Sequence, residues 1–166
     1  MIALQIQDIK NFMSRLLLSQ AFDQFLLVEG NITTYNFFRI DGRIHKDFFT
    51  PEEIEECSLN EREFSLWKEV KPFCLELIKG KKTPLNFQFT FQLSKENTAK
   101  ILTASGITSI LPENVSGLLL NVRYGNHGLS CITATNLNLF TLDKALEHAW
   151  DDTVKRFLKQ QEISFL

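Results

Sequence analysis

The densest group of side chains able to do chemistry is Glu147, His148, Asp151 and Asp152. His148 and Asp152 stand four apart, so on a helix they share a face, where a carboxylate can orient an imidazole or the two can ligate a divalent ion. Glu147 and Asp151 have the same spacing. Glu147, His148 and Asp152 therefore form the metal set of one candidate function, a metal-assisted hydrolase. The competing reading is a solvated helix face, with Asp151 to Lys155 and Asp152 to Arg156 as four-apart ion pairs and early acids suiting the helix dipole. It is favoured, because no further ligand is signalled.

A second cluster is Lys79-Gly80-Lys81-Lys82-Thr83. A phosphate-binding P-loop needs a glycine five residues before its Gly-Lys pair, and Leu75 stands there. What survives is a basic loop, with Lys79, Lys81 and Lys82 able to meet a phosphate or an acidic partner, or simply to complement a helix C-terminus. A third cluster, Tyr35, Phe37 and Arg39 with Arg43, His45 and Lys46 close behind, mixes aromatic and basic groups as single-stranded nucleic-acid platforms do. Alternation puts Tyr35, Phe37 and Arg39 on one face of a strand. A net charge of −2 and the lack of an RNP-type consensus make a protein-partner patch or core packing the better reading. No GxSxG, HExxH or GxGxxG pattern supports nucleophilic, zinc or dinucleotide chemistry.

The elements that must position these groups follow from periodicity. Asp8 caps a helix with Ile9, Phe12, Met13, Leu16 and Leu17 turned inward. Three β-rich runs, 22–29, 32–40 and 43–48, are separated by Gly30-Asn31 and Asp41-Gly42, which predicts a three-stranded meander. Thr50-Pro51-Glu52-Glu53 is a capping box, and a longer helix is expected from Asn60, kinked or broken near Pro72. Between residues 47 and 63 there are seven acids and one base, the mark of an exposed segment. Leu85 to Leu93 alternates apolar and polar side chains, so one sheet face is buried and one wet. Ser94 caps the next helix, Gly125-Asn126-His127-Gly128 joins a second hairpin, and Thr141 is expected to cap the last helix with Leu142 facing inward.

The chain of 166 residues suits one domain spanning 1–166. The expected fold is α+β, a mainly antiparallel sheet of about six strands with about five helices largely on one face. Fifteen Phe among 11% aromatic residues read first as core. Cys57, Cys74 and Cys131 form no CxxC pair, so neither a disulfide framework nor a zinc site is signalled. The opening octet lacks a basic start followed by a long apolar run, and no later stretch is long enough to cross a bilayer. A soluble cytoplasmic protein without a cofactor or membrane partner is the expectation.

The segments Ile78-Lys-Gly-Lys-Lys-Thr-Pro-Leu85 and Phe140-Thr-Leu-Asp-Lys-Ala-Leu-Glu-His-Ala-Trp-Asp-Asp152 resemble a family of small uncharacterised proteins from Gram-positive anaerobic bacteria. The resemblance extends over nearly the whole chain and implies a bacterial, stand-alone cytoplasmic domain, with no activity to carry over. The residues therefore point first to a non-catalytic binding or interaction module. Its surface would comprise Tyr35, Phe37, Arg39 and the 79–83 loop, its partner another protein or a second copy bound through the wet sheet face. The metal-assisted hydrolase is the alternative, and a single-stranded nucleic-acid binder or an apolar small-molecule carrier comes after it.

Overall fold

Phe87, Phe89 and Phe91 alternate with Gln88, Thr90 and Gln92 along one strand, and this alternation sets the layers of the whole molecule. In the computed structural model, which describes residues 1–166, the three Phe rings are buried under helices and the intervening side chains face away from them. The elements are β1 (Ala3–Gln5), α1 (Ile9–Leu17), β2 (Leu26–Thr33), β3 (Phe37–Asp41), α2 (Pro51–Glu56), α3 (Trp67–Ile78), β4 (Asn86–Gln92), α4 (Lys95–Ala104), β5 (Val115–Gly125), β6 (Gly128–Leu137) and α5 (Ala145–Gln160). The six strands form one sheet in the order β1-β6-β5-β4-β2-β3, antiparallel throughout. The fold is α+β, as the hairpin-dominated pattern predicts.

A single cluster of 27 buried side chains fills the space between the sheet and helices α1, α3 and α5. Aromatic rings dominate it. Phe22 meets Phe12 edge-on at 5.5 Å and Phe157 at 5.2 Å, and Trp67 lies 5.1 Å from both Phe89 and Phe91. Each such contact adds to the area the rings remove from water. The indole N–H groups are satisfied by backbone: Trp67 donates to the Leu16 carbonyl and Trp150 to that of Leu119, both at 2.9 Å. The other face is polar, with the Thr90 hydroxyl donating to the Asn121 side chain at 2.9 Å.

The predicted meander is a single hairpin. Gly30 and Asn31 lie inside β2, paired with Ile40 and Arg39, and the chain reverses instead at residues 34–36, where the Thr34 N–H donates to the Asn36 carbonyl. Gly30 is needed for contact, since a Cβ there would come 2.7 Å from the Phe89 ring. Gly42 is likewise no turn residue. It packs onto the backbone of Leu27, and the chain then leaves the sheet, so that residues 43–48 contribute one bridge, Arg43 to Phe64, and a 3-10 turn. Where β2 loses β3 its partner is the segment 64–66, held by the Leu27 N–H to the Ser65 carbonyl at 2.8 Å.

That pairing explains why the long helix begins at Trp67 and not near Asn60: Phe64, Ser65 and Leu66 are extended partners of the sheet. Pro72 sits inside α3 without ending it. Both Pro72 and Lys68, whose carbonyl loses its partner, are exposed, which leaves the freed group on the solvent side of the helix. The last helix starts at Ala145, four residues after the predicted cap. The Asp143 carboxylate accepts from the Ala145 N–H at 2.9 Å, and Leu142 is 82% exposed instead of inward. Both hydrogen bonds, from Ala145 and from the Ser109 hydroxyl, hold the Asp143 carboxyl below its ordinary range. At the C-terminus Phe165 bridges to Ile6, which lays the tail along β1.

Candidate functional site

Five chain segments converge at one end of the sheet. There β2 turns into β3, β4 begins, and β5 turns into β6, while α1 and the C-terminal turn of α3 pack above. Between the two helices and the sheet lies a cleft of about 660 Å³. Its walls are Ile9, Met13 and Leu17 of α1 and Leu75 and Ile78 of α3, and its floor is Phe87 with Tyr124 stacked beside it at 5.2 Å between ring centroids. Residues 79–84 close one side, anchored by the buried Pro84 and by the Leu85 N–H donating to the Thr33 carbonyl.

Charge at this cleft is of one sign. Lys10, Lys79 and Lys82 stand on its rim and no carboxylate lines it. Lys79 reaches Glu76 at 2.7 Å, outside the lining, whereas Lys10 and Lys82 take part in no ion pair. The only other polar side chains at the wall are Ser14, Thr83 and the Tyr124 phenol. The cleft thus combines an apolar floor with few hydroxyls and a rim of lysines. A second depression, of about 690 Å³ beside residues 57–66, has Glu61, Glu63 and Glu96 against Arg62 and Lys95, and so carries no such preference.

The residues singled out by sequence fall in three places. Lys79 and Lys82 line the cleft, with Lys81 exposed in the same loop. Tyr35 occupies the β2–β3 turn, 89% exposed, and Phe37 follows it onto the open sheet face at 63% exposure. Arg39 shares that face with Phe37 but is engaged by Glu29 at 3.4 Å. Tyr35 and Phe37 thus border the same end of the sheet as the lysine loop, from the side opposite the cleft.

The Glu147, His148 and Asp152 set is divided by the turn of α5. His148 and Asp152 are exposed, while Glu147 is turned toward the first strand, where its carboxylate accepts from the Met1 ammonium. That hydrogen bond holds the Glu147 carboxyl below its ordinary range and raises the ammonium above its own. Asp151, which shares Glu147's face, is buried, accepts from the Thr133 hydroxyl at 2.5 Å and lies 3.3 Å from the same ammonium. No group of three or more His, Cys, Asp or Glu side chains is placed to hold a metal ion. The cysteines are all free thiols. Burial pushes those of Cys74 and Cys131 up to about 12, and Cys57 is exposed.

Sequence reasoning did not find Lys10, Met13 or Tyr124 as site residues. Periodicity assigns Ile9, Met13 and Leu17 to the same apolar stripe as Phe12 and Leu16, and only packing separates the two rows. Phe12 and Leu16 are fully covered, while Ile9 and Met13 are half-buried at the cleft. The one usable signal was the width of the stripe, five apolar positions on a nine-residue helix.

No helix is long and apolar enough to cross a membrane. A family profile described as a family of unknown function (DUF5721) matches residues 15–166. No curated protein and no solved structure matches.

Proposed function

Since the chain belongs to a family of unknown function, only its own side chains speak to activity, and we propose that it is a non-catalytic binding domain of the bacterial cytoplasm. Its ligand site is the cleft between α1, α3 and the start of β4. The observation that carries this reading is the cleft itself: an apolar floor of Phe87 and Tyr124 beneath a rim of lysines without a lining acid. A volume of about 660 Å³ falls within the range of cavities that take small organic molecules. The free thiols support a reducing compartment, where an exposed Cys57 is kept from forming disulfides.

Binding is read with Nile red, a neutral apolar dye whose emission rises out of water. The expected result is saturable binding of one dye per chain, lost in Met13→Glu, which puts a carboxylate on the cleft wall, with the far-ultraviolet circular dichroism unchanged. Absence of saturable binding, or binding equally strong in Met13→Glu, would overturn the reading.

A further inference from the structure

The position of Lys10 sharpens what the cleft takes. Lys79 has a local explanation, because a helix C-terminus favours cations and Lys79 is the C-cap of α3. Lys10 has none. It is the second residue of α1, within the first turn of a nine-residue helix, where the dipole disfavours a positive charge, and the N-cap acid Asp8 accepts from the Asn11 N–H and forms no ion pair with it. It is also exposed, outside any ion pair, and lines the same cleft as Lys79 and Lys82. A protein of net charge −2 thus brings cations from two separate elements to one apolar cavity, and one of them sits against its helix's own field.

We propose that the cleft binds a free amphipathic organic anion, a single apolar chain or ring body ending in one carboxylate or phosphate monoester. The body lies against Met13, Phe87 and Tyr124 and the head between Lys10 and Lys82. This rests on the binding reading above. A nucleotide fits less well: lysines are point charges without the forked geometry of arginine, and Ser14 and Thr83 leave few groups to read a base. The occupant is a free molecule and not a bilayer, since the apolar surface of Phe87 and Tyr124 is recessed between α1 and α3 rather than carried on a ridge that inserts.

The test is displacement of Nile red from the full chain by decanoate, decyl phosphate, decanol and decylammonium, the ionic compounds below their micellar concentrations and decanol below its solubility limit. Decanoate and decyl phosphate are expected to bind about tenfold more tightly than decanol at low salt, from charge-assisted hydrogen bonds to lysine, with decylammonium weakest. Octanoate to decanoate is expected to gain about fourfold per methylene. In the double variant Lys10→Ala/Lys82→Ala the anions are expected to fall to the level of decanol while decanol itself is unchanged. If decanol matches decanoate in the parent protein while the dye still binds, the anionic head is refuted and the binding cleft stands. If the dye does not bind, both readings fall. Sedimentation of the protein with phosphatidylglycerol vesicles, together with no displacement by decanoate, would replace the free ligand by a membrane surface and overturn the proposal.

Discussion

Replacing Gly42 by Ala is expected to be among the most damaging single changes outside the core. A Cβ at this position would stand 1.6 Å from the Leu27 carbonyl oxygen and 2.6 Å from its carbon. Both are backbone atoms of β2, so no rotamer change relieves the clash. The chain can only move away, and three hydrogen bonds oppose that: Gly42 N–H to the Val28 carbonyl at 3.0 Å, Ser65 N–H to the Gly42 carbonyl at 2.8 Å, and Leu27 N–H to the Ser65 carbonyl at 2.8 Å. At about 1 kcal/mol each, more where a group is left buried and unpaired, their loss amounts to roughly 2–4 kcal/mol. For a domain of this size that lowers the melting temperature by roughly 5–15 °C. The loosened 64–66 segment leads directly into Trp67 and α3, which forms one wall of the cleft, so Nile red binding should weaken before global unfolding. Thermal melts followed by circular dichroism make the comparison with Gly125→Ala, where the nearest atom to an added Cβ is 3.8 Å away and the cost should stay within about 0.5 kcal/mol. A Gly42→Ala protein melting within about 2 °C of the parent would refute the packing argument.

Three further outcomes follow from the same geometry. Asp151→Ala removes a buried carboxylate from the Thr133 hydroxyl and the Met1 ammonium and should cost about 2–4 kcal/mol in urea unfolding, with Asp151→Asn less harmful because it still accepts from Thr133; equal costs would be inconsistent with a role for the Thr133 hydrogen bond. Under native conditions a thiol reagent near pH 8 should modify only Cys57, and all three cysteines should react once the chain is unfolded, because the buried thiols stay protonated; fast native labelling of Cys74 or Cys131 would contradict their burial. Burial opposes ionisation of Glu69, but the Arg62 guanidinium at 2.7 and 3.2 Å and the Leu66 N–H outweigh it and depress its pKa below 4.5. A depressed carboxylate contributes stability that is present above its unfolded pKa and lost as pH falls through the folded one, so Arg62→Met should flatten the stability profile below pH 4.5. Half exposure and screening limit the effect to less than about 1 kcal/mol, and an unchanged acid limb in Arg62→Met would dismiss it.

Several elements were legible because their signals are local. Asp8, Thr50 and Ser94 accept from the helix N–H groups their spacing predicts, at Asn11, Glu53 and Asn97. The alternation in β4 identified its buried face, and Gly125 to Gly128 marked the β5–β6 turn, with Gly128 at φ +92°. The failures are positions where a residue type admits two physical causes. Gly30 and Gly42 look like turn glycines by their neighbours, yet each is there because another group lies too close for a side chain. Phe64 to Leu66 fit a helical pattern by apolar spacing, whereas the sheet takes them as the partner β2 needs before its bulge. Of the candidate cleft, Lys79 and Lys82 stand out in the sequence as a basic loop, while Lys10 is one lysine on an ordinary polar helix face.

By itself, then, the sequence determined the class of fold, the caps at Asp8, Thr50 and Ser94, the second hairpin and the existence of a covered and an open sheet face. Each depends on contacts within a few residues or on a period of two or 3.6 that the backbone imposes. Strand order, the exchange of β3 for residues 64–66 along β2, and the meeting of Lys10 with the 79–84 loop were decided only by tertiary structure. These depend on which surfaces fit once the Phe-rich core closes, and a gap left by that fit, such as the cleft over Phe87, has no period to announce it.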